Sequence, residues 1–263
     1  MKKLVLALTA VAAFTAPALA ADMAAKAPMR AAPAYSYNWT GCYVAGGGGY
    51  GWYTADGREV VPATGAIINN NGTTGGRGWM GQVGAGCDYQ FAGPMGNWVV
   101  GLLGDYTFSD VKGDHIGANS TLALGSLKED YSWAVGARVG YLVNPNFLSY
   151  FNAGYTETHF KDTTYFNALG VQGVPRGTFL EGSTYQGWFL GSGFEYSLGF
   201  LPGLFLKSEY RYSEFNQKQL NVRSVATGLP VGLAETVKPA TQSVITSLVY
   251  RFNWGGAPIA AKY

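Results

Sequence analysis

The segment Ser243–Phe252 alternates with a period of two. Val244, Thr246, Leu248, Tyr250 and Phe252 fall on one face, and Ser243, Ile245, Ser247, Val249 and Arg251 on the other. Successive side chains of a strand point to opposite sides of its sheet. One face is therefore apolar and aromatic, while the other admits a charge. Such a strand, repeated along a chain, suits a barrel wall with lipid outside and a polar interior. Seven earlier segments read as companion strands: Gly41–Tyr53, Gly76–Gln90, Trp98–Phe108, Tyr131–Leu142, Leu148–His159, Tyr185–Leu198 and Leu204–Phe215.

A helical route across a membrane is closed to the mature chain. Its best apolar stretch, Phe189–Leu206, contains Glu195, Pro202 and several glycines, which place a charge and a helix breaker inside hydrocarbon. A closed barrel remains, because closure pairs every backbone group without water. Residues 1–20 read as a secretory signal: Lys2 and Lys3, the apolar Leu4–Phe14, and Ala18-Leu19-Ala20 as a small-x-small cleavage site. Residues 21–38, rich in Ala and Pro, read as a periplasmic leader. The barrel is expected over 39–254 and a C-terminal extension over 255–263.

Charge excludes one class of partner. Without the signal's two lysines, 18 Lys+Arg become 16, matching 16 Asp+Glu. A neutral chain has no electrostatic footprint for nucleic acid. Charged residues are 13% and aromatics 15%, with 38 glycines, a balance that suits an outer surface against lipid.

The connectors alternate in length. Phe91–Asn97, Val143–Phe147 and Gly199–Gly203 are short, and each holds a proline. Thr54–Gly75, Ser109–Asp130, Phe160–Thr184 and Ser213–Gln242 are long and polar. Short periplasmic turns alternating with long extracellular loops are expected of an outer-membrane barrel. Aromatics gather at both strand ends: Trp39, Tyr89, Trp98, Tyr141 and Phe252 at one, and Trp52, Trp79, Tyr106, Phe108, Tyr131, Trp133, Trp188 and Tyr212 at the other. Two interfacial girdles are expected from them.

Alternation then sends Asp88, Asp105, Glu195 and Glu209 inward with Arg138, Lys207, Arg211 and Arg251. Four acids against four bases allow mutual neutralisation, and an eight-stranded lumen is about filled by side chains. A plugged interior is expected, not a wide pore. Cys42 and Cys87 flank the periplasmic end of the first hairpin; a cross-strand disulfide and two lipid-facing thiols are both open readings.

Other motifs carry little chemistry. Gly46–Gly51 matches G-x-G-x-x-G formally, without the strand–helix context or the acid that a dinucleotide site requires. His115 and His159 lie in or near loops with no convergent ligands, so no cofactor or metal site is expected. The rim residues Glu157, His159 and Glu214 are too scattered to make a catalytic set.

The opening Asn38-Trp39-Thr40-Gly41-Cys42-Tyr43-Val44, with Gly46–Tyr50, resembles the small outer-membrane barrel proteins of alphaproteobacteria, the immunogenic or porin-family surface proteins. The ending Tyr250-Arg251-Phe252-Asn253-Trp254 is similar to that family's last strand, so Tyr250 and Phe252 are candidates for its terminal-strand signal. The resemblance implies an all-β, eight-stranded antiparallel up-and-down transmembrane barrel in the cell outer membrane, without catalytic residues. It implies a structural, surface-exposed role, with a small passive channel or a surface receptor for a ligand such as haem as alternatives. Expected partners are outer-membrane lipid and lipopolysaccharide, the barrel assembly machinery and periplasmic chaperones; the oligomeric state is open.

Overall fold

The computed structural model describes residues 38–115, 125–166 and 175–252. The assigned signal peptide, the leader up to residue 37 and the C-terminal extension lie outside the described residues.

The described chain is built of antiparallel strands: β1 (Gly41–Val61), β2 (Ala66–Gly93), β3 (Gly96–Ser109), β4 (Lys112–His115), β5 (Gly125–Asn144), β6 (Phe147–Phe160), β7 (Thr163–Phe166), β8 (Pro175–Leu180), β9 (Ser183–Ser197), β10 (Leu204–Phe215), β11 (Lys218–Ser224) and β12 (Pro230–Phe252). Eight of them, β1-β2-β3-β5-β6-β9-β10-β12, form a ring, and β12 pairs back onto β1. The closing register runs from Cys42 opposite Phe252 to Val60 opposite Ala234. The ring has no free edge, as hydrocarbon demands of a sheet.

Glycine makes the closing seam possible. Gly47 and Gly49 point into the barrel, where a Cβ would lie 2.1 Å from the Thr246 carbonyl oxygen and 2.0 Å from that of Val244. Only a residue without a side chain lets β1 bend this close to β12. The Gly-rich run that mimics a nucleotide motif thus serves the wall.

The outer face follows the alternation. Val44, Val83, Leu102, Val135, Phe151, Leu190, Leu206 and Leu248 point away from the lumen, with Leu102 69% exposed. Trp98 packs edge-on to Tyr141 near the short turns, with ring centroids 5.3 Å apart. Near the other end Tyr50 packs edge-on to Trp79, Tyr106 stacks on Tyr131, and Trp188 lies tilted against Tyr212. Trp39 corrects the girdle assignment: it is fully buried. It lies before β1 begins, where strand parity does not govern it. Its indole N–H donates to the Pro145 carbonyl at 3.2 Å, and its ring sits 4.7 Å from Phe205.

The four long connectors are corrected as well, since much of their length is strand. β1 and β2 run on past Tyr53 and Gly76 to a turn at residues 62–65, where Gly65 takes a φ of 68°. β4 inserts between β2 and β5, and β11 continues the wall from β12 through β8 to β7. Polar composition suggested loops here because, above the membrane, the outward residues of a strand face water. Inward parity nevertheless continues through Tyr53, Ala55 and Glu59 on β1, all buried.

Apolar residues occupy the interior at both ends. The lower set is Trp39, Tyr43, Val99, Leu142, Leu148, Tyr150, Phe205 and Val249. The upper set includes Tyr53, Met80, Val111, Leu127, Phe160, Tyr185, Phe215 and Ile245.

Leu102→Arg places a charge midway between the aromatic ends of β3. It should cost about 2–4 kcal/mol of stability in a bilayer, read from the urea midpoint of the refolded protein. Thr107→Val, on the buried inner face of the same strand, tests the opposite side without adding charge and should cost clearly less. Equal losses would contradict the assigned faces.

Candidate functional site

Parity of the strands brings all eight inward charges into the lumen, in two neutral groups. The lower group is Asp88 on β2, Arg138 on β5, Glu195 on β9 and Arg251 on β12. Arg138 donates from Nε to Asp88 Oδ1 at 2.8 Å, from Nη2 to Asp88 Oδ2, and from Nη1 to Glu195 Oε1 at 2.5 Å. Arg251 donates from Nη1 to Asp88 Oδ2 at 2.6 Å and from Nη2 to Glu195 Oε2 at 2.5 Å. Acids and bases alternate around a closed ring, so each carboxylate meets two guanidinium groups. All four residues are buried.

Aromatic faces cover the remaining sides of these cations. The Arg251 guanidinium carbon lies 4.8 Å from the Trp39 ring centroid, 4.9 Å from Tyr43 and 5.3 Å from Phe205. Arg138 lies 4.7 Å from Tyr43 and 5.1 Å from Tyr150. Such contacts strengthen when water is absent.

The second group joins Asp105 on β3 to Lys207, Glu209 and Arg211 on β10. Arg211 grips Asp105 with two bonds of 2.9 and 2.7 Å and reaches Glu209 at 2.8 Å. Lys207 Nζ lies 3.4 Å from Glu209. Tyr150 donates to Glu209 at 2.8 Å while its ring lies against Arg138, so it links the two groups. Gln82 donates to Asp105 and to Thr107, each at 3.2 Å. Beside Arg211 a cavity of about 20 Å³ is lined by Gln82, Thr107, Glu129, Ser132 and Thr241. A space of that size holds about one water.

Sequence reasoning missed Trp39, Tyr43 and Tyr150 as partners of the charges, because alternation reports a face and not a neighbour. It also left Glu59, His115 and Glu235 in loops. They are buried in the upper wall, with His115 Nε2 2.8 Å from Glu235 Oε2 and Tyr165 donating to Glu235 at 2.7 Å. Glu59 stands opposite Glu235 across the seam. The parity shared by Glu59 with Tyr53 and by Glu235 with Val237 was the available signal.

The remaining candidates are dispersed. Cys42 and Cys87 face each other in the β1–β2 register, joined by a disulfide on the outer wall. Tyr250 and Phe252 point outward at the end of β12, with ring centroids 5.1 Å apart. Glu157 accepts from Tyr155 and Gln186, Glu214 pairs with Lys238, and His159 stacks on Tyr131.

Comparison with known proteins places this wall. Residues 6–252 match the family described as outer membrane protein beta-barrel domain. A 31 kDa outer-membrane immunogenic protein of Brucella melitensis is 30% identical over 229 residues, 84% of this chain and 90% of that protein. A 25 kDa outer-membrane immunogenic protein of Brucella canis is 27% identical over 255 residues, 96% of this chain and 99% of that one. The crystal structure of OprG from Pseudomonas aeruginosa superposes with a TM-score of 0.53 at 14% identity, covering 83% of this chain and all of that one; at that identity the likeness concerns the fold. The chain belongs to the outer-membrane β-barrel family, and its place is the outer membrane.

Arg251→Leu leaves Asp88 and Glu195 with a single guanidinium between them. Stability should fall by about 3–5 kcal/mol, the cost of breaking a buried ion pair, with the loss read from urea unfolding in detergent. A loss under about 1 kcal/mol would mean that the ring is hydrated and weak. Replacing both cysteines by serine opens a cross-link spanning 45 positions and should cost at most about 4 kcal/mol by chain entropy, measured against the parent under the same non-reducing conditions.

Proposed function

We propose that this member of the outer-membrane β-barrel family is a structural, surface-displayed wall protein of the envelope. It presents an extended strand wall to the outside and conducts no solutes. The observation that carries the reading is the filled cross-section. Two neutral ionic groups occupy the middle of the lumen, and apolar side chains close both ends. A passive channel needs a continuous wet path with sites that hold ions weakly enough to release them. Here each of the eight charges in the two groups has a countercharge within ion-pairing distance. The upper wall and its hairpin tips are the part offered to the surroundings, and surface segments of this kind carry recognition. The Brucella relatives are named as immunogenic, which supports surface display of this chain as well. No catalytic role is proposed.

Planar-bilayer recording tests the reading. The purified, refolded protein should give no reproducible conductance steps in molar salt, while Arg251→Ala together with Glu195→Ala, which empties part of the lower ring, should give occasional ones. Steady, uniform steps from the parent would overturn the proposal in favour of a channel.

A further inference from the structure

A further ionisable side chain enters the lumen without a countercharge. Glu129 shares the sequence parity of Tyr131 and Trp133, which face outward. The β5–β6 register slips between them: Glu129 stands opposite Phe160, and Tyr131 opposite His159. A bulge of this kind re-aims the side chain beside it. Glu129 therefore points inward with Leu127 and Phe160 and is 1% exposed. Lys128 and Asp130, beside it in sequence, make their ion pairs on the outer side.

The carboxylate is poorly partnered. Thr158 on β6 donates to its Oε1 at 3.0 Å, and Oε2 has no hydrogen-bond partner among the described residues. Among those residues Glu129 also makes no ion pair. It lines the cavity of about 20 Å³ beside Arg211, where β2, β3, β6 and β12 contribute only uncharged polar groups such as Gln82, Thr107, Thr156 and Thr241. A carboxylate left ionised in so dry a place is costly unless a cation or a proton neutralises it.

The titratable groups around it do not supply that cation. Arg211 on β10 shares the cavity but is already bonded to Asp105 on β3 and to Glu209. Tyr53 on β1 donates to the Leu127 carbonyl at 2.8 Å. Tyr185 on β9 packs edge-on to Phe160. His115 on β4 stands opposite Gly125, farther up β5, and bonds to Glu235 on β12, which faces Glu59 on β1. Asp114 on β4 is exposed. Glu129 lies beyond Tyr131, a member of the upper aromatic row, and so above the bilayer. Burial pushes its carboxyl up to about 7, against the opposing hydrogen bonds of Thr158 and Ser109.

We propose that Glu129 is a proton-binding site that sets how tightly the upper lumen is packed. Protonated, it lies neutral in a dry section. Ionised, it draws water into the cavity it shares with Arg211 and loosens the Asp105–Arg211–Glu209 cluster. The proposal rests on the filled section that also carries the proposed function, yet the two fail separately. Conductance steps while Glu129 is protonated would sink the closed lumen. An ordinary glutamate titration in a barrel that stays silent would sink this proposal alone.

A carboxyl that holds its proton more tightly in the folded chain stabilises the fold fully below the unfolded value of about 4.3. That contribution falls as pH rises and is lost on passing through the folded value near 7. The full chain, refolded in an uncharged maltoside detergent, should be unfolded in urea from about pH 5 to about pH 8. The parent's urea midpoint should fall across the range, with the folded-to-unfolded ratio dropping roughly tenfold per pH unit below neutrality. Glu129→Gln, an uncharged group of the same shape, should hold its midpoint level, and His115→Gln should keep the parent's slope. An equal slope in Glu129→Gln, or loss of the slope in His115→Gln alone, would overturn the proposal. Amide hydrogen exchange along β10, corrected for its intrinsic pH dependence, should quicken at the upper pH in the parent and not in Glu129→Gln; unchanged exchange in the parent would overturn the loosening. Infrared spectra of the folded protein read the proton itself. The protonated-carboxyl band lost in Glu129→Gln should titrate in the parent with a midpoint near 7, and Thr158→Val, which removes a donor to the carboxylate, should move that midpoint to higher pH. A midpoint in the ordinary glutamate range would overturn the site. If Glu129→Gln failed to fold, the Thr158→Val shift would decide, and a band that does not move would count against Glu129.

Discussion

Eight ionised side chains lie inside a cylinder too narrow to hydrate them, and this constraint organises much of the molecule. A charge cannot face hydrocarbon, so strands that cross the membrane turn their charged residues inward. Once there, each ion has lost most of its water, and only countercharges and polar partners can replace it. Asp88, Arg138, Glu195 and Arg251 meet that demand as a closed ring, and Asp105, Lys207, Glu209 and Arg211 meet it as a second cluster. Tyr150 ties the two together.

Closure and filling depend on each other. The β1–β12 seam removes the free edge, and its glycines at 47 and 49 allow the tight approach. That curvature leaves a section that side chains can fill. Trp39 then seals the lower end, lying against Arg251 and Phe205 while its indole bonds to the turn at Pro145. The filled section follows from the arrangement of the wall and underlies the structural role proposed for the protein.

The membrane portion of this fold was legible in the sequence because a lipid-facing wall writes its period in plain chemistry. Val244, Leu248 and Tyr250 alternate with Ser243, Ser247 and Arg251. The upper wall was read as loop for an equally physical reason. Above the membrane the outward residues meet water, so Thr54, Asp56 and Arg58 look like loop residues although Ala55 and Gly57 between them, and Glu59 just after, are buried. The inward charges could be named from parity alone. Their pairing could not, because partners such as Arg138 and Glu195 lie 57 positions apart on strands that do not pair with each other, with β6 between them.

The central claim is that the interior charges neutralise one another within the wall. A double-mutant cycle on Arg138 and Glu195 tests it most directly, by urea unfolding of the refolded protein. Removing either residue alone strands a charge. Removing both, as Arg138→Met with Glu195→Leu, leaves Asp88 with Arg251, a neutral pair. The account predicts that the double variant loses less stability than the two single variants added together, by about 1–3 kcal/mol. Losses that simply add, to within about 0.5 kcal/mol, would mean that the two residues do not hold each other's charge, and would contradict the account.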